Sequence, residues 1–256
     1  IVLQKFMFDA NTTLLEKYAD VSLVDLATNQ LRHNIYTGKY KPGQKLVVRE
    51  LSEELNISHT PIKEALNRLV SEGYVVAQPR KSMIVREYTN QQFIENMQVR
   101  FLIELANAQD FLDGVQETPA IIEEIRHYQQ LQTDLAAQGS IDFEEWIDYG
   151  GRFHDAYLKT IKNHQMYETY HSLDTNRGSY FAYLNNTNSS FMMQRIQQDE
   201  IAHGAIITAM EQQDLHKLRR ALADHILQVC SEYLVDENAR RAYLQFQTYL
   251  DIFDLK

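Results

Sequence analysis

A chain of 256 residues, 44% of them hydrophobic, is long enough for about two packed domains. Its one cysteine, Cys230, excludes an intrachain disulfide and suits a reducing cytoplasm, and no apolar run approaches the roughly 20 residues that span a bilayer. The net charge of −10 argues against a polyanionic partner only until it is divided: residues 28–90 hold ten Lys and Arg against six Glu, a net of +4 that leaves −14 elsewhere.

Residues 1–20 (IVLQKFMFDANTTLLEKYAD) lack the basic start and small-residue cleavage site of a secretory signal and read as an N-terminal extension. From residue 21, Leu23, Ala27, Leu31 and Ile35 recur every four residues and predict a helix that ends at Gly38. Lys41-Pro42-Gly43-Gln44 is a turn. Arg49 to Leu55 predicts a short helix with Leu51 and Leu55 facing inward, and Asn56 suits a left-handed exit. Thr60 as N-cap and Pro61 at the first helical position open the next helix. Its apolar stripe is Ile62, Ala65, Leu66, Leu69 and Val70, while Lys63, Asn67 and Arg68 lie opposite. Ser58, His59 and Thr60 stand at the helix entrance, where free backbone N–H groups favour a phosphate. These residues fit an ordinary helical hairpin with a solvated face, and equally a helix-turn-helix recognition element. The flanks favour the second. Glu72-Gly73 stops the helix, Tyr74–Ala77 and Met83–Val85 predict two strands, and Pro79-Arg80-Lys81-Ser82 joins them as a basic tip suited to DNA backbone or minor groove.

Residues 21–86 resemble the winged helix-turn-helix domain of the GntR superfamily of bacterial transcription regulators. The likeness rests on Gly38–Leu46 (GKYKPGQKL), Arg49–Leu55, Ser58–Leu69 (SHTPIKEALNRL), Glu72–Val75 and Pro79-Arg80. It implies that Arg49, His59, Thr60, Lys63, Arg80, Lys81 and Ser82 touch DNA. His59 and Lys63 stand where the family usually has arginine, and Ser82 where it has a wing glycine. Lysine cannot make the two-pronged contact of arginine to guanine, so the operator would differ or affinity would lean on phosphates.

After a junction near 86–91 the periodicity is helical throughout. Helices are expected at about 91–112, 119–137, 141–162, 164–184, 190–212, 214–235 and 236–252, with a polar loop at 185–190 and Asp214 as a cap. The fold class is therefore mostly α. A winged helix-turn-helix domain (21–88) precedes an antiparallel all-α bundle (89–236), and a helical tail (237–256) has no assigned role, a dimer partner being one surface it could pack on. His154, His203 and His225 lie mid-helix beside apolar neighbours. Imidazoles converging from separate helices build metal sites in bundles, although a single such histidine is more often an ordinary core or surface residue.

Residues 92–230 are similar to the FCD effector domain of one GntR subgroup, through Val99–Glu104, Phe153-His154 with Asn163, Asp199–His203, Ala209–Asp214 and His225. The likeness implies a divalent metal, Zn²⁺ or Ni²⁺, held by the three histidines and an aspartate four residues before the first, and Gly150 stands in that aspartate's place. Arg100 is either the partner of Glu104 in a helical ion pair or a clamp for an effector carboxylate that also reaches the metal. The resulting expectation is a ligand-responsive repressor that binds a near-palindromic double-stranded operator as a homodimer, in the cytoplasm, without a membrane or catalysis. Two rivals are a metal-free effector domain holding an acyl chain and a metalloenzyme using the histidines.

Overall fold

The computed structural model describes residues 22–78, 82–137, 143–173 and 189–255. The chain divides into two compact units after Glu87.

In the first unit, α1 (Leu23–Tyr36) starts at Ser22, whose hydroxyl accepts from the Asp25 N–H. Ala27, Leu31 and Ile35 are fully buried, whereas Leu23, on the fringe of the stripe, is 46% exposed. β1 (Lys45–Leu46) and α2 (Val48–Leu55) follow, and Asn56 leaves α2 at φ 52° and ψ 40°, the left-handed exit its side chain tolerates. α3 spans His59–Ser71. Its N-cap is Ser58, not Thr60, so Thr60 and Pro61 occupy the second and third helical positions. Proline is tolerated there because the first-turn N–H groups have no intrahelical acceptor. Ile62, Ala65, Leu66 and Leu69 form the buried stripe against α1, and Gly73 at φ 79° turns the chain into the sheet.

β2 (Val75–Gln78) and β3 (Ser82–Val85) pair antiparallel from Val75↔Val85 to Gln78↔Ser82. β1 pairs on the other side of β3, giving the order β1-β3-β2. The sequence placed only a turn before α2. Two residues are too few to show a period of two, and β1 is set by long-range backbone bonds just before it: the Val85 N–H donates to the Gln44 carbonyl (2.9 Å) and the Val85 carbonyl accepts from the Gly43 N–H (3.0 Å).

The second unit is helical throughout its described residues: α4 (Asn90–Ala106), α5 (Ala108–Glu117), α6 (Ala120–Ala137), α7 (Phe143–Leu158), α8 (His164–Ser172), α9 (Ser189–Glu211), α10 (Leu215–Ser231), α11 (Glu237–Tyr243) and α12 (Phe246–Ile252). Thr89 and Gln92 close a capping box at α4. The helix expected at 91–112 breaks at Asn107, whose side chain takes the Ile103 carbonyl at 2.7 Å, the local competition by which asparagine disfavours helix interiors. Asn163, Asp214 and Asp236 cap α8, α10 and α11. α8 ends at Ser172, short of the expected 184, and residues 189 and 190, expected in a loop, open α9; the rest of that loop lies outside the described residues. The tail packs on its own bundle. Phe246 is fully buried and meets Phe101 edge-on at 5.3 Å, and Gln98 donates to the Ala242 carbonyl. No helix among the described residues is long and apolar enough to cross a membrane.

Candidate functional site

Each unit carries one candidate site. In the first, Ser58, His59, Thr60, Lys63 and Asn67 are all exposed along α3, opposite its buried stripe. Thr60, Lys63 and Asn67 are spaced three and four apart and so lie one above another on one face. Arg49 stands on α2 with its side chain 76% exposed, 3.6 Å from Glu53, a contact that leaves the guanidinium available. Arg68 does not join this face: it is bonded to Asp25 of α1 and ties the two helices together. Of the tip residues, Arg80 and Lys81 lie outside the described residues, and Ser82 is placed by its backbone pairing with Gln78.

In the second unit, α7, α9 and α10 bring His154, His203 and His225 together. One ring nitrogen from each lies within 4.8 Å of the others, and the side chains are buried. The His154 and His225 Nε2 atoms are 3.3 Å apart. Phe153 stacks on His203 at 3.8 Å and fixes that ring, whose two nitrogens have no hydrogen-bond partner. Burial, together with the positive charge of Arg100 or Arg195, pushes all three pKa values below the usual histidine range, His203 to about 4. The rings are thus neutral at pH 7, with lone pairs free to ligate.

These observations fit a metal. Two nitrogens bound to one tetrahedral zinc at about 2.0–2.1 Å stand roughly 3.3–3.4 Å apart, the separation seen for His154 and His225, and buried imidazole nitrogens without partners are costly unless something ligates them. The carboxylates close by in sequence are elsewhere: Asp148 is exposed and bonded to Arg152, and Asp155 is exposed. At Gly150, a Cβ would stand 2.9 Å from Gln132 Nε2, which itself donates to the Trp146 carbonyl at 3.0 Å. Gln132 of α6 therefore fills the space that an aspartate there would need.

The pocket around the cluster holds about 510 Å³, its open mouth included, with Arg100, Gln132, Arg195 and Asp199 on its walls. Arg100 makes the ion pair with Glu104 (Nε to Oε1 2.6 Å), while its Nη2 is buried and has no partner. Burial is the largest single influence and opposes the charge on Arg100, but the Glu104 carboxylate together with Tyr170 and Tyr157 outweighs it and raises the pKa, so the group stays cationic. Sequence reasoning passed over Arg195 and gave Asp199 no role beyond the family likeness, yet the two bond to each other at 3.3 Å. Their signal was available: 195, 199 and 203 are spaced by four on one helix and share a face. It missed Tyr157, one turn after His154, for want of any reason to prefer it among fifteen tyrosines. Gln132, on a separate helix, carried no signal.

A winged helix-turn-helix unit followed by an all-helical bundle is the build of a DNA-binding transcription regulator. Family models agree: residues 24–85 match the bacterial regulatory proteins of the gntR family, and residues 95–228 match the FCD domain. The chain belongs to the GntR family of transcription regulators and carries an FCD domain. Among curated relatives it is 31% identical over 137 residues to the HTH-type transcriptional regulator McbR of Escherichia coli K12, covering 54% of this chain and 60% of that one. It is 28% identical over 144 residues to the Nta operon transcriptional regulator of Aminobacter aminovorans, covering 44% and 69%. The chain spans about 60% of the length of the first curated relatives it matches. The solved structure of E. coli McbR/YncC superposes with a TM-score of 0.61 at 24% identity, covering 83% of this chain and 97% of that one. The structure of Lar, described as controlling expression of the agr system of Listeria monocytogenes, superposes at 0.55 with 13% identity, covering 86% and 98%. At these identities both show a shared fold.

Proposed function

We propose that this regulator is a ligand-gated repressor whose FCD domain senses a small carboxylate through a divalent metal. The observation that carries this reading is the buried three-histidine cluster, neutral and with free lone pairs, in one pocket with an arginine that keeps an unpartnered Nη2. His154, His203 and His225 would hold Zn²⁺ or Ni²⁺. A metal with only three protein ligands supplies a positive centre with open coordination positions. Arg100 Nη2 would take a carboxylate oxygen by a charge-assisted hydrogen bond, and Arg195 adds positive charge to the same wall. The charged groups of Arg100, Arg195 and Asp199 among otherwise largely apolar walls suit an anionic head more than a purely acyl occupant, and the relatives are regulators, which speaks against a metalloenzyme.

On the DNA side, two chains would present two α3 helices about 34 Å apart to a near-palindromic operator, with Arg49, Ser58, His59, Thr60, Lys63 and Asn67 contacting phosphates and base edges and Arg80, Lys81 and Ser82 following the backbone. The acid acts by binding more tightly to one relative arrangement of the wings than to the other. Elemental analysis of protein purified without chelators tests the metal reading. About one Zn or Ni per chain is expected, lost in the His203→Ala/His225→Ala double variant. Native protein without metal that still releases DNA in response to a carboxylate would overturn it.

A further inference from the structure

Each of two rings in the cluster has a partner behind it that decides where its proton sits. His154 Nδ1 lies 2.7 Å from the Tyr157 hydroxyl. Tyr157 donates to Glu104 Oε2 at 3.1 Å. A tyrosine has one proton to give, so in the bond to His154 the hydroxyl must accept and the imidazole must donate. Glu104, fully buried, is held in turn by Arg100 at 2.6 Å. The His154 proton is thereby kept on Nδ1 and the lone pair on Nε2.

His225 is arranged in the same way from another direction. Its Nε2 faces His154 Nε2, so its Nδ1 lies on the opposite edge of the ring, 3.8 Å from Asp199 Oδ1. Neither of those atoms has a hydrogen-bond partner, and both are buried. The other Asp199 oxygen accepts from Arg195, which also bonds Glu232 at 2.6 Å, so the carboxylate is held from behind. A carboxylate facing Nδ1 draws the proton there and leaves Nε2 as an acceptor. Two acceptor nitrogens 3.3 Å apart repel unless a cation lies between them.

We propose that Asp199 and the Tyr157–Glu104 pair are positioning residues of the three-histidine site, holding His225 and His154 as Nδ1–H tautomers with both Nε2 lone pairs turned toward one metal ion. The proposal rests on the metal reading above and adds to it. It gives the cluster its carboxylates on α4 and α9, behind the ligands, where Gly150 supplies none among them. Outer partners of this kind orient ligating histidines and raise their basicity.

The test uses the full chain stripped with chelator, titrated with Zn²⁺ against a competing chelator dye and with Co²⁺ followed by its visible absorption. Tyr157→Phe keeps the ring and removes the hydroxyl; Asp199→Asn keeps the shape and removes the charge. Each should weaken affinity by about 10–100-fold and alter the cobalt spectrum. Asp148→Asn, at the exposed residue bonded to Arg152, should do neither. Glu104→Gln should reproduce Tyr157→Phe, and the two together should cost no more than either alone, because they cut one relay. A purely structural role would lower the melting temperature and leave the cobalt spectrum unchanged, which would overturn the proposal; so would wild-type affinity and spectrum in the variants, with the metal reading still standing. A wild type that binds no metal would remove both. If Tyr157→Phe does not fold, Glu104→Gln and Asp199→Asn decide by the same readouts.

Discussion

Replacing Gly150 by aspartate, the residue that the family pattern would put there, should destabilise the metal-free protein. The new Cβ would stand 2.9 Å from Gln132 Nε2, closer than a real Cβ approaches such an atom, and Gln132 must swing away. In doing so it loses its 3.0 Å bond to the Trp146 carbonyl at a buried position. A buried amide left without its acceptor costs roughly 1–3 kcal/mol. Replacing a helical glycine returns only about 0.3 kcal/mol of propensity. The lost hydrogen bond wins, and since 1 kcal/mol moves the melting temperature of a domain of this size by about 2–4 °C, a drop of about 2–10 °C is expected. Differential scanning calorimetry of chelator-treated protein reads it. The Gln132→Ala/Gly150→Asp double variant should lose less than the sum of its single variants, by an interaction of about 0.5–3 kcal/mol. A single Gly150→Asp variant that melts at or above the wild-type temperature would show that Gln132 does not hold that space.

Lys63→Ala and Arg49→Ala should each weaken operator binding, measured by fluorescence anisotropy, with the melting temperature unchanged, since both side chains are exposed; a variant whose contact is to a phosphate should also lower the salt slope by about one. Tight binding insensitive to salt would contradict the assigned face. Leu66→Ala, at a fully buried position beneath α3, should cost the N-terminal unit about 2–5 kcal/mol, read from its urea midpoint, and a loss under 1 kcal/mol would mean that the α1–α3 core is not as described. Metal-free protein should lose stability on acidification. His203 titrates near 4 when folded and near 6.5 when unfolded, so between those values the unfolded chain binds more protons and stability falls as pH falls. Urea midpoints between pH 7.5 and 4.5 should drop, less steeply in His203→Gln, and equal slopes would refute the attribution.

The N-terminal unit was legible because its signals are local. Asn56 at the left-handed exit, the four-residue spacing of Ala27, Leu31 and Ile35, and Gly73 before the strand each act within one turn of chain. β1 was not legible, because two residues become a strand only through partners far along the chain, Lys45 with Ile84 and Leu46 with Met83. In the bundle, the order of helices followed from their period, whereas the break at Asn107 depends on one side chain taking one carbonyl. Three mid-helix histidines could be singled out from sequence, with their role inferred by resemblance. Their convergence, the intrusion of Gln132 at Gly150 and the facing of Asp199 onto His225 are tertiary facts that no spacing encodes. The tail's packing was not legible for a related reason: Phe246 and Leu250 look the same in sequence whether they cover their own bundle or another chain.

Effector sensing in this regulator turns on whether the three histidines share a metal. An anomalous difference map from crystals of unchelated protein, collected on both sides of the zinc and nickel edges, should show one peak per chain among His154, His203 and His225. A map without that peak, from protein that still binds its operator and releases it to a carboxylate, would contradict a metal-mediated response.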